Sequence, residues 1–251
     1  MAFLLGAFLA PGPSVAADDA YARLLAHHVT PGTVSGIQLN LVDYQGVAAD
    51  PDYPKALADL AAAKPGALDE SDRFPFWVNA YNLLAIKTVL DRYPVSSIKD
   101  GGNFLFPIWK KKVGTAAGKE YSLDEIEHGI LRKEFSEPRV HFAVVCASLS
   151  CPDLRPEPYE GARLDEQLDD QAERFLANRT KGLVPGADRK SAEVSSVFKW
   201  FGDDFEATGG VAGFIRDHAA PKTRAAVADL KDDGLSYLDY DWTLNDQARA
   251  R

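Results

Sequence analysis

Arg139-Val140-His141-Phe142-Ala143-Val144-Val145-Cys146-Ala147-Ser148-Leu149-Ser150-Cys151-Pro152 contains both cysteines of this 251-residue chain and one of its five histidines. Its first half, Val140 to Val145, is a short valine-rich apolar run set between Pro138 and a Ser-rich tail, the pattern of a buried strand that ends in a loop. Strand side chains alternate, so this reading puts His141, Ala143 and Val145 on one face and Phe142, Val144 and Cys146 on the other. It also separates His141 from Cys146 by roughly 16 Å, too far for a thiol–imidazole dyad. Cys151 lies past a loop able to turn back, towards Cys146 or towards a group on another element.

On either side of this stretch the periodicity changes. Tyr21, Leu24 and Leu25 recur at helical spacing over 18–28, and Val34, Ile37, Leu39 and Leu41 suggest one strand after Pro31-Gly32. A helix is expected over Tyr53–Ala63. The strongest helical pattern runs from Phe74 to Tyr93, with Pro75 near its start, a broad apolar stripe and Tyr93-Pro94 at its end. Asn79 and Asn82 on that helix have amides that are costly to bury without partners. Ser122-Leu123-Asp124-Glu125 is a capping box opening a helix over Leu123–Lys133. His128 and Arg132 form an i,i+4 pair on it, while Glu127 points elsewhere. Leu164–Leu176 is amphipathic with an acidic outer face, 181–190 reads as a loop, and Ser195–Phe205 gathers aromatics for a core. Tyr237–Trp242 alternates aromatics and acids like a half-buried strand. Without repeats or a clear linker, the expected architecture is α+β: a single domain over 18–251, its helices packed on a small, mainly antiparallel sheet.

Residues 1–17 read as an export signal. Ala2–Ala10 is apolar, and Ser14-Val15-Ala16-Ala17 offers small residues for cleavage, although no Lys or Arg precedes the apolar stretch. The expected location is periplasmic or secreted. No later segment approaches the roughly 20 apolar residues needed to span a bilayer, so no transmembrane segment is expected. A net charge of −9 argues against nucleic acid as a partner. In an oxidising compartment, two cysteines suffice for one bridge, and Cys146–Cys151 is the expected one. Nucleotide-binding glycine loops, GxSxG, HExxH and EF-hand patterns do not occur in the sequence. Cys146, Cys151, His128 and His141 are metal-ligand types, but their spacing matches no zinc finger or ribbon. No metal or cofactor is expected.

The ordered motifs Phe76-Trp77-Val78-Asn79-Ala80-Tyr81-Asn82, Tyr93-Pro94-Val95-Ser96-Ser97-Ile98, Ser122 to His128, His141-Phe142-Ala143 through Cys146-Ala147-Ser148 and Ser150-Cys151-Pro152, and Tyr240 to Asn245 together resemble domain-of-unknown-function family 547 over about residues 35–245. The resemblance implies that Asn79, Asn82, Glu127, His128, Arg132, His141, Cys146, Ser148, Ser150 and Cys151 occupy motif positions. Such polar residues serve either a site or a buried network. Two functions follow as expectations. In the first, the chain is an exported binding or structural domain with a Cys146–Cys151 bridge and a small-molecule or peptide-like ligand. In the second, it is a thiol-dependent acyl-transfer enzyme or amide hydrolase acting on small peptide-like substrates. For that chemistry the candidates are Cys146 or Cys151 as nucleophile, His128 or His141 as base, and Glu127 or Asn79 to orient the imidazole. Asn82, Arg132, Ser148 and Ser150 are the candidates for contacting substrate.

Overall fold

The computed structural model describes residues 19–103 and 107–250, so the expected export signal lies outside the described residues. Helix α1 (Ala20–His28), capped by the Asp19 carboxylate on the Tyr21 amide, leads into an antiparallel hairpin of β1 (Val29–Val34) and β2 (Ile37–Val42). The single strand expected there is therefore two. Ser35 and Gly36 both take positive φ, 52° and 81°, which closes a two-residue turn compatible with strand twist. Helices α2 (Tyr44–Ala49), α3 (Asp52–Ala62) and α4 (Glu70–Leu90) follow. Helix α4 starts four residues before Phe74, so Pro75 lies inside it rather than at its first turn. It is buried on nearly all sides and forms the spine of the larger core, with Val78, Leu84 and Ala85 fully enclosed.

After the short hairpin β3 (Gly114–Ala116) and β4 (Lys119–Tyr121), the capping box forms as expected. Ser122 Oγ accepts from the Glu125 amide at 3.1 Å, and Glu125 Oε2 accepts from the Ser122 amide at 2.8 Å. The expected uniform helix is interrupted: α5 (Leu123–Ile126) passes into a π-helical turn, Glu127–Leu131, before α6 (Arg132–Glu134). Such wide turns insert an extra residue and shift side chains beyond them around the axis, frequently at functional sites.

The Val140–Val145 strand does not form. Val140–Ala143 is one helical turn, α7, and Val144 beyond it is extended without a strand partner. The local reason is that Val140 and Ala143 enter the larger core while Phe142 enters a second one; a strand would send Val140 and Phe142 to the same side. Buried extended backbone needs hydrogen-bond partners, and here a side chain supplies them. Asn82 Nδ2 donates to the Ala143 carbonyl at 2.9 Å, and Asn82 Oδ1 accepts from the Val145 amide at 3.0 Å.

The second core is built by Phe142, Phe198, Phe205 and Phe214. These come from α7, α9 (Ser196–Trp200), the 3₁₀ segment Gly202–Thr208 and α10 (Gly210–His218), and α8 (Leu164–Ala177) packs alongside. Helix α11 (Pro221–Ala226) follows. A three-stranded sheet of β5 (Leu183–Pro185), β6 (Ala192–Val194) and β7 (Leu235–Tyr237) closes this half, with β5–β6 antiparallel and β6–β7 parallel. Part of the expected 181–190 loop is thus β5. The expected Tyr237–Trp242 strand ends at Tyr237. Beyond it the chain lies along residues 147–150, with Leu149 N donating to Thr243 O at 2.9 Å and Asn245 N to Ala147 O at 3.1 Å. The fold is α+β with small sheets, and among the described residues no helix is long and apolar enough to cross a membrane.

Asn82 is 1 % exposed, and its amide satisfies two backbone groups of a segment without a strand partner. Asn82→Ala leaves both groups buried and unpaired, which should lower stability by about 1–3 kcal/mol per unsatisfied group. Urea unfolding would register the loss as a lower midpoint. An unchanged midpoint would show that the clamp contributes nothing.

Candidate functional site

A cavity of about 190 Å³ opens where the two cores meet, and Cys146, Cys151, His128, His141 and Glu127 all line it. The strand-parity argument against His141 and Cys146 therefore falls with the strand: one turn of helix followed by extended backbone brings both residues to the same hollow.

Cys146 is held at three points. Its Sγ is 3.1 Å from both Ser148 Oγ and Tyr240 OH, and its backbone N–H donates to Cys151 Sγ at 2.8 Å. The tight return is made by Ala147, at φ 57°. For a residue with a Cβ that conformation costs about 1–2 kcal/mol, and such strain clusters at functional sites. Ser148 Oγ and Tyr240 OH also lie 3.2 Å apart, so the two hydroxyls that flank the sulfur meet each other. The expected disulfide is absent: both cysteines are free. The loop instead closes through the amide–sulfur contact and the bond from Cys151 N to Ser148 O, 3.2 Å.

The environments of the two thiols push them apart. Burial raises the Cys146 pKa, but hydrogen bonds from Cys151, Ser148 and Tyr240 outweigh it, leaving this thiol below its ordinary range. Cys151, 4 % exposed, is pushed well up, first by burial and then by its neighbour's sulfur. Cys146 is thus the sulfur suited to be a thiolate, and Cys151 a thiol that supports it.

His141 is 3 % exposed, stacks on Phe201 at 4.1 Å between ring centroids, and places Nε2 2.6 Å from Asp204 Oδ2. Burial lowers its pKa to about 4 despite Asp204, so the ring is neutral at pH 7. The carboxylate can only accept, so Nε2 carries the hydrogen and Nδ1 the lone pair. Nδ1 is buried and has no hydrogen-bond partner. Asp204 is kept ionised by a fork from Arg132, Nε to Oδ2 at 2.6 Å and Nη2 to Oδ1 at 2.8 Å, which holds its carboxyl down at about 2.

Glu127 faces the hydroxyl of Tyr81 on α4, and burial raises its carboxyl pKa. His128 is more exposed, with Nδ1 3.0 Å from Arg132 Nη1 and Nε2 3.9 Å from Asp124 Oδ1. Other sequence candidates lie away from the cavity lining. Asn79 exchanges bonds of 2.8 and 2.9 Å with the backbone of Tyr159, Asn82 clamps 143–145, and Arg132 is spent on Asp204. Ser150 Oγ accepts from the Asp241 amide at 2.9 Å. These residues position the site rather than face it. Sequence reasoning missed Asp204, hidden in Gly202-Asp203-Asp204-Phe205 behind the aromatic run, and Tyr240, read as a strand aromatic and a motif residue but not as part of the site. Among the described residues, no group of three or more His, Cys, Asp or Glu is arranged to hold a metal ion.

Residues 65–176 match the model of the family described as protein of unknown function, DUF547. The match supports the resemblance read from the motifs, over a span narrower than 35–245 that includes α4, the π turn, α7 and both cysteines. Asp204 and Tyr240 fall beyond it. No curated protein and no solved structure matches the chain.

The two thiols should differ sharply in reactivity. In reduced native protein, iodoacetamide should modify Cys146 with a rate that rises with pH and levels off below the ordinary thiol value of about 8.5, while Cys151 reacts only after denaturation. Tyr240→Phe removes a donor to the thiolate and should move the Cys146 profile to higher pH. Peptide mapping that found Cys151 labelled first would reverse the assignment.

Proposed function

We propose that this DUF547 domain is a thiol-dependent enzyme of the acyl-transfer or amide-hydrolase class, with Cys146 as nucleophile, His141 as general base and Asp204 as the group that orients the imidazole. The observation that carries this reading is a single arrangement. A thiol of depressed pKa and a neutral histidine with an unpartnered Nδ1 line the same cavity, and the far nitrogen of that histidine is fixed by a carboxylate. We read these roles as the division of labour of a nucleophile–base–acid triad, in which substrate binding brings His141 Nδ1 and the sulfur into contact.

In the acylation half, the Cys146 proton passes to Nδ1 of His141 and Sγ attacks the substrate carbonyl carbon, forming a C–S bond and an oxyanion. Collapse of that intermediate breaks the bond to the leaving group, which takes the proton back from Nδ1. In the second half, His141 removes a proton from water or from an acceptor amine or alcohol, and that group displaces Sγ from the acyl carbon. Asp204 stays ionised throughout, held by Arg132, and stabilises the imidazolium that forms transiently. The aromatic walls keep water scarce, which strengthens each of these interactions.

The reading includes export, supported by the composition of residues 1–17. An oxidising compartment favours a bridge between neighbouring thiols, so the reduced protein is the form to assay. With reduced full-length protein and a panel of activated thioesters and aryl esters, the expected result is a stoichiometric acyl adduct on Cys146, seen by mass spectrometry, followed by turnover. Cys146→Ala should abolish the adduct. Asp204→Asn, which disturbs the tautomer, should slow acylation by about 10²–10⁴-fold with KM little changed. If His141→Gln protein of native melting temperature acylated at the wild-type rate, the base assignment would fail. If no ester acylated Cys146, the binding or structural reading would replace the enzymatic one.

A further inference from the structure

The cavity has an electrostatic character that the catalytic groups alone do not require. Among the described residues lining it there is no Lys or Arg, whereas Asp124 and Glu127 both line it. The same cavity carries an aromatic wall of Trp109, Trp200, Tyr240 and Trp242. Trp242 lies at the centre of this wall, with ring centroids 6.1 Å from Trp109, 5.7 Å from Trp200 and 4.7 Å from Tyr240. Trp200 is 46 % exposed, an unusual degree for so large an apolar ring. His141 gives a second, independent sign that the hollow is built to receive something: it is nine-tenths buried, lines the same cavity and leaves Nδ1 without a partner.

Three ligand chemistries can be set against this lining. A carboxylate or phosphate would meet no Lys or Arg among the lining residues and would be repelled by Asp124. A neutral apolar group would satisfy the rings but leave the acids unused. A cation is attracted both to the faces of the rings and to a carboxylate, and cation–π contact is strongest over tryptophan. The fold already makes one such contact at this wall, with Lys99 Nζ 4.6 Å from the Trp242 ring centroid.

We infer that the cavity takes a substrate bearing a primary ammonium group, seated between Asp124 and the Trp242 wall, so that an amine-bearing, amino-acid-like acyl compound presents its carbonyl to Cys146. The placement of the carbonyl rests on the thiol-enzyme reading above; the ammonium seat does not.

The test uses reduced full-length protein at pH 8 and constant ionic strength, with n-pentylammonium chloride, n-pentanol and sodium pentanoate as probes and tryptophan fluorescence as readout. The ammonium should give saturable quenching, at least tenfold tighter than the alcohol or the carboxylate, and equally so in Cys146→Ala protein, which cannot acylate. Asp124→Asn and Trp242→Leu should each weaken it several-fold without moving the melting temperature. Pentanol binding as tightly as the ammonium, pentanoate binding more tightly, or no saturable signal from the ammonium would each overturn the inference. Because binding is read without the nucleophile, loss of acylation with the ammonium preference intact would defeat the thiol-enzyme reading and leave the seat standing. Acylation with no ammonium preference would defeat the seat alone.

Discussion

The arrangement depends on how a few residues of buried, unpaired backbone are satisfied. Between the end of α7 and Cys146 the chain is neither helix nor strand, and no strand lies beside it. The Asn82 amide takes the place of that strand, accepting from one peptide and donating to another. Because Asn82 is buried on α4, it ties Val145, and hence the starting point of Cys146, to the most extensively buried helix of the larger core. Helix propensity disfavours asparagine at such a place, so its presence reflects the bonds it makes. On the far side, residues 240–246 lie along 147–150 and bring the Tyr240 hydroxyl to the sulfur. Cys146 is thus fixed from two directions by elements about 160 residues apart in sequence.

The larger features were legible in the sequence because they rest on local chemistry. The α4 stripe, the Ser122–Glu125 box and the α8 amphipathic face each follow from periodicity or capping within one element, and each appears in the structure. The failure at Val140–Val145 has the opposite origin. A valine-rich run of six residues carries no periodicity able to distinguish strand from helix. The choice was made by two cores competing for the same segment, Val140 and Ala143 drawn to one and Phe142 to the other. That information is tertiary. Asp204 was invisible for a similar reason: nothing near it in sequence marks one of two adjacent aspartates as the partner of a histidine 63 positions earlier.

Geometry also separated two classes of polar motif residue that look alike in a sequence. Asn79, Asn82, Arg132 and Ser150 bond to backbone or to another side chain, and none of them lines the cavity. Cys146, His141 and Glu127 line a hollow. A residue with its bonding capacity used up can hold a site together but has nothing left to offer a substrate, whereas an unpartnered buried atom such as His141 Nδ1 is costly unless something comes to meet it.

The same principle explains the asymmetry between like groups that makes chemistry possible at neutral pH. Two cysteines five residues apart share one environment in composition but not in bonding: Cys146 collects donors from Ser148, Tyr240 and its neighbour, while Cys151 gives its hydrogen away and is buried more deeply. Two carboxylates, Glu127 in the cavity lining and Asp204 bonded to His141, diverge similarly. Asp204 is ionised by the Arg132 fork, and Glu127, enclosed against Tyr81, is pushed towards its protonated form by burial. Pairs of titratable groups driven apart by their surroundings are the means by which one site holds acid, base and nucleophile together. In this fold the divergence originates at the π turn: it places Glu127 and His128 at the cavity while Arg132, beyond the inserted residue, turns to Asp204 and so fixes the tautomer of His141.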